Sequence, residues 1–136
     1  MRREEQTQGE FSGYAHAAGV EIGAVSVKWV RRGQDGGTSA VVARHEGDPG
    51  NKLKEILERA DDGSPLRIVV TGQAARSLFD LPYRSETECM EKALSFHGLE
   101  PDVLLSLGGE AFTVYPMKDG RIVNAISTSK CAAGTG

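Results

Sequence analysis

Leu104-Leu-Ser-Leu-Gly-Gly-Glu-Ala-Phe-Thr-Val-Tyr-Pro-Met-Lys-Asp-Gly-Arg-Ile-Val-Asn-Ala-Ile-Ser-Thr-Ser-Lys-Cys-Ala-Ala-Gly-Thr-Gly136 is a succession of short apolar runs broken by glycine. The first run stops at Gly108-Gly109, a second alternates through Val114 and Tyr115, Asp119-Gly120 marks a tight reversal, and a third run returns. The pattern is strand, glycine turn, hairpin, then a small-residue tip carrying Cys131. Paired glycines between strands let the backbone approach a ligand with its N–H groups exposed, which is one way to hold phosphate. The same pair also serves as a plain turn.

Moving back along the chain, Val103 to Leu107 reads as a buried strand that delivers Gly108-Gly109 at its carboxyl end. Before it, Ser85-Glu86-Thr87-Glu88 is a capping box, and Met90, Ala93, Leu94 and His97 trace one face of the helix it opens, closed by Gly98 and Pro101. Leu66 to Thr71 is an almost unbroken apolar run, the pattern of a strand covered on both faces and parallel to a neighbour. Thr71-Gly72 lies just past its carboxyl end, the edge where open α/β sheets bind ligands.

Asp48-Pro49 starts an earlier helix with an acidic cap and proline at the first helical position, and Leu53, Ile56, Leu57 and Ala60 give it an apolar face up to the stop at Gly63. Upstream, Val20, Ile22, Val25, Val27, Trp29 and Val30 predict two strands joined by a turn at Gly23-Ala24, with Ser26 and Lys28 on one face of the second. Arg31 to Gly37 reads as a polar turn with solvated arginines, and Thr38 to Arg44 as a third strand, which completes a meander. Trp29 is expected in the core, His16 and His45 in solvent. Residues 1–18 are polar and small without a sustained period and read as a loosely attached leader, so the domain is expected over residues 19–136.

At 136 residues the chain suits one domain. Its 16 basic and 19 acidic residues give a net charge of −3, so neither sign dominates and a nucleic-acid or anionic-membrane face is not expected. No run reaches membrane-spanning length and no signal peptide opens the chain, so a cytoplasmic protein is expected. Cys89 and Cys131 sit far apart with no Cys-x-x-Cys spacing, so neither a disulfide framework nor a one-chain zinc site is indicated. The fold class is thus α/β: a ribonuclease-H-like lobe of three antiparallel strands continued by helix-linked parallel strands, with a C-terminal hairpin.

In that order, Val20-Glu-Ile-Gly-Ala-Val-Ser-Val-Lys28, Thr71-Gly72, Ser85-Glu-Thr-Glu-Cys89, Leu107-Gly-Gly-Glu110 and Lys130-Cys-Ala-Ala-Gly-Thr-Gly136 resemble the motifs of the ATP-dependent activators of 2-hydroxyacyl-CoA dehydratases and benzoyl-CoA reductases. These activators belong to the actin, hexokinase and Hsp70-like ATPase superfamily. The resemblance runs from about Gly19 to Gly136, and its most specific piece is the Cys-Ala-Ala-Gly-Thr-Gly end. It implies two ribonuclease-H-like lobes with ATP and magnesium between them, in a homodimer bridged by one [4Fe–4S] cluster. ATP hydrolysis would drive electron transfer to an acyl-CoA dehydratase or reductase partner.

Carried over residue by residue, the resemblance implies that Gly23, Ala24, Ser26 and Lys28 form the first phosphate loop and that Glu21 stands in the catalytic acidic position beside the metal. Thr71 and Gly72 would adjoin the nucleotide, and Gly108 and Gly109 with Glu110 would form the second phosphate loop. Gly134 and Gly136 would open the interlobe helix, and Cys131 would ligate the cluster. The family pattern has aspartate where this chain has Glu21, serine where it has Ala24, and aspartate where it has Ser106. Those departures leave a non-hydrolysing nucleotide-binding regulatory domain, or an interaction module, as alternative readings. The chain stops inside the last motif, which reads as the first lobe of a longer protein; one side of an interlobe cleft alone is expected to turn over ATP weakly or not at all.

Overall fold

The computed structural model describes residues 16–33, 35–108 and 111–128. The chain divides at Tyr83–Arg84 into two compact units.

In the first unit, β1 (Ala17–Ile22), β2 (Ser26–Arg32) and β3 (Thr38–Arg44) form the expected antiparallel meander, and β4 (Arg67–Thr71) adds to the free edge of β1 in parallel, giving the order β3-β2-β1-β4. Helix α1 (Pro49–Ala60) opens as the sequence predicts, with the Asp48 carboxylate accepting the Asn51 N–H at 2.9 Å and Pro49 in the first turn. Alternation decides which face α1 covers: Ala18, Val20 and Ile22 of β1, Val27 and Trp29 of β2 and Val70 of β4 point to one side, where Leu53 and Ile56 meet them. Trp29 is the expected core residue, and its burial beside α1 makes it one of the costliest side chains in the unit to remove. A short helix, α2 (Ala75–Leu78), follows β4 and buries Ala75 in the same core.

Three expectations change here. β1 starts at Ala17 and buries Ala18, two residues that the weak leader composition hid, because pairing with Arg67 and Arg32 extends the strand. Arg31 is not in a solvated turn: it lies within β2 and donates to the Ala60 carbonyl at 2.7 Å and to Asp62 at 2.6 Å, closing the end of α1. β4 is parallel to β1 as expected but is covered on one face, with Val70 buried and Val69 38% exposed.

In the second unit, α3 (Glu86–His97) carries the predicted capping box, the Ser85 N–H donating to Glu88 Oε2 at 2.9 Å, and ends on left-handed Gly98. β5 (Val103–Leu107) pairs antiparallel with β6 (Phe112–Lys118), where the sequence pointed to a buried parallel strand; Val103, Leu105 and Leu107 are exposed. The Asp119-Gly120 reversal has φ of 51° and 74°, the left-handed pair that a two-residue hairpin requires, and leads into β7 (Arg121–Ile122). The return run then breaks before β8 (Ile126–Thr128). Met117 pairs with Ile122 but Val114 with Ile126, so the returning strand holds one residue more than β6, a bulge opposite Pro116, which has no N–H to give the ladder. Helix α3 is tied to this hairpin by Glu91, which accepts from the Ile122 N–H at 2.8 Å and from Arg121 at 2.9 Å.

Candidate functional site

The site grows from the turn Gly23-Ala24-Val25 between β1 and β2. Gly23 donates its N–H to the Ser26 carbonyl at 2.9 Å, which closes the turn, and a Cβ on Gly23 would sit 3.3 Å from that oxygen. Among the described residues the N–H groups of Ala24 and Val25 have no hydrogen-bond partner, so two successive amides are left for solvent or an anion.

Register then assembles the side chains. Glu21 is paired across β1–β2 with Lys28 and across β1–β4 with Thr71, so the three stand abreast on three neighbouring strands. Directly paired residues share a face, and this is the face opposite Val20, Val27 and Val70 and hence opposite the core. Ser26, two residues before Lys28, is on the same side. Lys28 Nζ approaches Glu21 Oε2 to 2.6 Å, both side chains being partly exposed.

Gly72 explains how Thr71 comes so close to the turn. Its φ is +104°, and an added Cβ would come within 2.9 Å of the Ile22 backbone nitrogen and carbonyl carbon and nearer still to the carbonyl oxygen. Only glycine lets the chain leave β4 against the end of β1 in this way. Thr71 Oγ1 is buried and has no hydrogen-bond partner among the described residues. Buried hydroxyls are nearly always paired, so this one stands out among the polar groups of the first unit.

Glu21, Gly23, Ala24, Ser26, Lys28, Thr71 and Gly72 are therefore gathered at one end of the first sheet. In the second unit, Gly108 opens the β5–β6 turn, its N–H donating to the Ala111 carbonyl at 2.9 Å, and Ser106, exposed on β5, pairs with Thr113 of β6. Gly109, Glu110, Cys131, Gly134 and Gly136 lie outside the described residues. Among the described residues no cluster of three or more His, Cys, Asp or Glu side chains stands ready for a metal, and Cys89 is a half-buried free thiol on α3. A phosphate fits the free amides, Ser26, Lys28 and the Thr71 hydroxyl. For magnesium the site offers the single carboxylate of Glu21, which suits an ion that relies largely on water and phosphate oxygens.

One residue escaped the sequence reading. His45, expected in solvent, is 9% exposed, with Nε2 3.1 Å from the Gly23 carbonyl and Nδ1 3.1 Å from the Gly47 nitrogen. Nothing in its local sequence marks it; the signal is the register that pairs Arg44 with Ser26 and so carries the next residue to the turn.

No protein-family profile matches the chain. It is 28% identical over 131 residues to the 2-hydroxyisocaproyl-CoA dehydratase activator of Clostridioides difficile, an alignment covering 89% of this chain and 48% of that protein. The structure of the Clostridium difficile activator of 2-hydroxyisocaproyl-CoA dehydratase, solved with bound ADPNP, superposes with a TM-score of 0.69 at 21% identity, covering 86% of this chain and 47% of that one. Component A of the Acidaminococcus fermentans (R)-2-hydroxyglutaryl-CoA dehydratase gives 0.65 at 20% identity, covering 85% and 48%. The chain spans about half the length of the curated relative it matches. Over that half, it resembles the acyl-CoA dehydratase activators in sequence and has their actin-like ATPase fold.

Proposed function

We propose that this chain is the nucleotide-binding N-terminal lobe of an ATP-dependent activator of an acyl-CoA dehydratase or reductase. The observation that carries the proposal is the juxtaposition of the orphaned Thr71 hydroxyl, the free Ala24 and Val25 amides and the Lys28 ammonium at one sheet end, a donor set suited to the terminal phosphates of ATP. The resemblance to activators, one of them solved with ADPNP, supports the identity of the nucleotide.

In this reading the Ala24 and Val25 amides and the Ser26 hydroxyl receive phosphate oxygens without rearranging the turn, since the Gly23 to Ser26 bond already holds it closed. Lys28 neutralises phosphate charge and in doing so leaves Glu21. The freed Glu21 carboxylate would face the nucleotide's magnesium ion, which when bound would neutralise charge developing on the phosphates. The resemblance would assign Gly108, Gly109 and Glu110 of the second unit to a second phosphate loop. Cys131 would supply a thiolate to a [4Fe–4S] cluster shared across a homodimer, and the protein would be cytoplasmic.

A second reading is favoured by the Lys28–Glu21 ion pair. Glu21 is longer than the aspartate of the family pattern and is already engaged at 2.6 Å, and Ser106 offers no carboxylate, so the lobe would bind nucleotide as a regulatory domain without turning it over. Two measurements on the whole protein, purified without oxygen, separate the readings. Calorimetric titration with ADP and with the imido analogue of ATP tests the site, and no binding of either would sink it. Magnesium-dependent phosphate release, with a paramagnetic-resonance cluster signal lost in Cys131→Ser, supports the activator; binding without turnover supports the regulatory domain.

A further inference from the structure

We infer that His45 is a positioning residue that aims the backbone amides of the Gly23–Ser26 turn at the bound phosphate; the inference rests on the nucleotide reading above. His45 is a buried polar residue, and it follows Arg44, whose pairing with Ser26 sets it beside the turn. The Gly47 N–H points at Nδ1 across 3.1 Å, and only a lone pair can meet a donor, so Nδ1 carries no proton. The proton of the neutral ring is therefore on Nε2, which donates it to the Gly23 carbonyl at 3.1 Å. The turn that brings Gly47 round to the ring depends on two left-handed residues, Glu46 with φ 47° and Gly47 with φ 89°.

The main chain of the same residue adds a second hold, since the His45 N–H donates to the Val25 carbonyl at 3.2 Å. In a trans peptide the C=O and the following N–H point in opposite directions. Pulling the Gly23 carbonyl toward the ring therefore turns the Ala24 N–H away from it, and holding the Val25 carbonyl does the same for the Ser26 N–H. One residue thus fixes the orientation of two peptides in the loop that receives phosphate. A merely packed ring would fill the space without choosing that orientation.

The test uses two substitutions that divide the imidazole between them. The His45→Gln side chain can reach Gly23 with an amide N–H, whereas the His45→Asn side chain keeps an oxygen for the Gly47 N–H and is too short for Gly23. Calorimetric titration of the whole protein with ADP and with the imido analogue of ATP is run beside thermal unfolding. The expected result is binding by His45→Gln within about threefold of the unsubstituted protein and by His45→Asn weakened about tenfold, the loss of one aligned hydrogen bond, at matched thermal stability. Equal affinities for the two variants overturn the inference and leave the nucleotide site standing. No binding by the unsubstituted protein overturns both. If either variant fails to fold, the nitrogen-15 spectrum of the native ring decides: a proton on Nε2 whose signal shifts on adding ADP is expected, and a proton on Nδ1 or an unresponsive signal refutes the role.

Discussion

Lys28 Nζ lies 2.6 Å from Glu21 Oε2 across the β1–β2 hairpin, so the cation and the carboxylate assigned to nucleotide binding are engaged with each other. Their side chains are 47% and 36% exposed, which puts the pair in the class that contributes about 0–1 kcal/mol to stability. On the proposed function its weight would lie in ligand binding: a polyphosphate would attract Lys28 and release Glu21. Lys28→Met should leave the thermal midpoint within a few degrees of the original while weakening ATP-analogue binding about tenfold or more. Calorimetry beside thermal unfolding checks this, and an unchanged affinity would remove Lys28 from the site.

Gly72 offers a stability test with an internal control. At φ +104°, with the Ile22 backbone where a Cβ would go, Gly72→Ala must displace either β1 or the β4–α2 connection, and a loss of more than about 2 kcal/mol is expected. Gly19 lies in β1 with open space where a methyl group would stand, no atom coming within 4 Å, so Gly19→Ala should change stability by less than about 1 kcal/mol. Denaturant unfolding monitored by Trp29 fluorescence reads this unit, and similar losses for both variants would contradict the close approach at Gly72.

Acid should weaken the Arg31 corner in a defined window. The Ser64 backbone and side chain, then the Arg31 guanidinium, hold the Asp62 carboxyl at about 2, below its ordinary 3.8. A group whose pKa is lowered on folding stabilises the fold fully above its unfolded value and loses that contribution as the pH falls through its folded value. The stabilisation is therefore complete above about pH 4 and lost toward pH 2. Asp62→Asn should flatten the stability curve across that interval and leave its shape above pH 5 unchanged; an identical acid limb in both proteins would show that Asp62 is not linked to folding.

The first sheet was legible because its information is local and periodic. Alternation around Val20, Ile22, Val27 and Trp29 fixes the core face, and the same register puts Glu21, Lys28 and Thr71 abreast. Asp48-Pro49, the Ser85 capping box and Asp119-Gly120 are likewise short motifs whose chemistry acts within a few residues. What escaped depends on partners distant in sequence. His45 is held at the turn by Gly23, and Arg31 at the end of α1 by Ala60. The apolar runs at Val69 and at Val103 to Leu107 have the composition of strands covered on both faces, but composition cannot say which neighbour a strand takes. The break before β8 did have a signal, Pro116 in the middle of the facing run.

Thr71 separates a site from a scaffold most directly, because the two roles predict opposite signs. Its Oγ1 is buried without a partner among the described residues, so the folded chain bears the desolvation of a hydroxyl that gains nothing in return. Thr71→Val keeps the branched shape in β4 and removes that hydroxyl, which should leave stability unchanged or raise it by about 1 kcal/mol. If the hydroxyl is kept for nucleotide, the same variant should bind ADP and the imido analogue about tenfold more weakly. Higher stability with weaker binding is the signature of a polar group held in readiness at a cost to the fold. Lower stability would mean that Thr71 has a structural partner, and unchanged binding would take its side chain out of the nucleotide site.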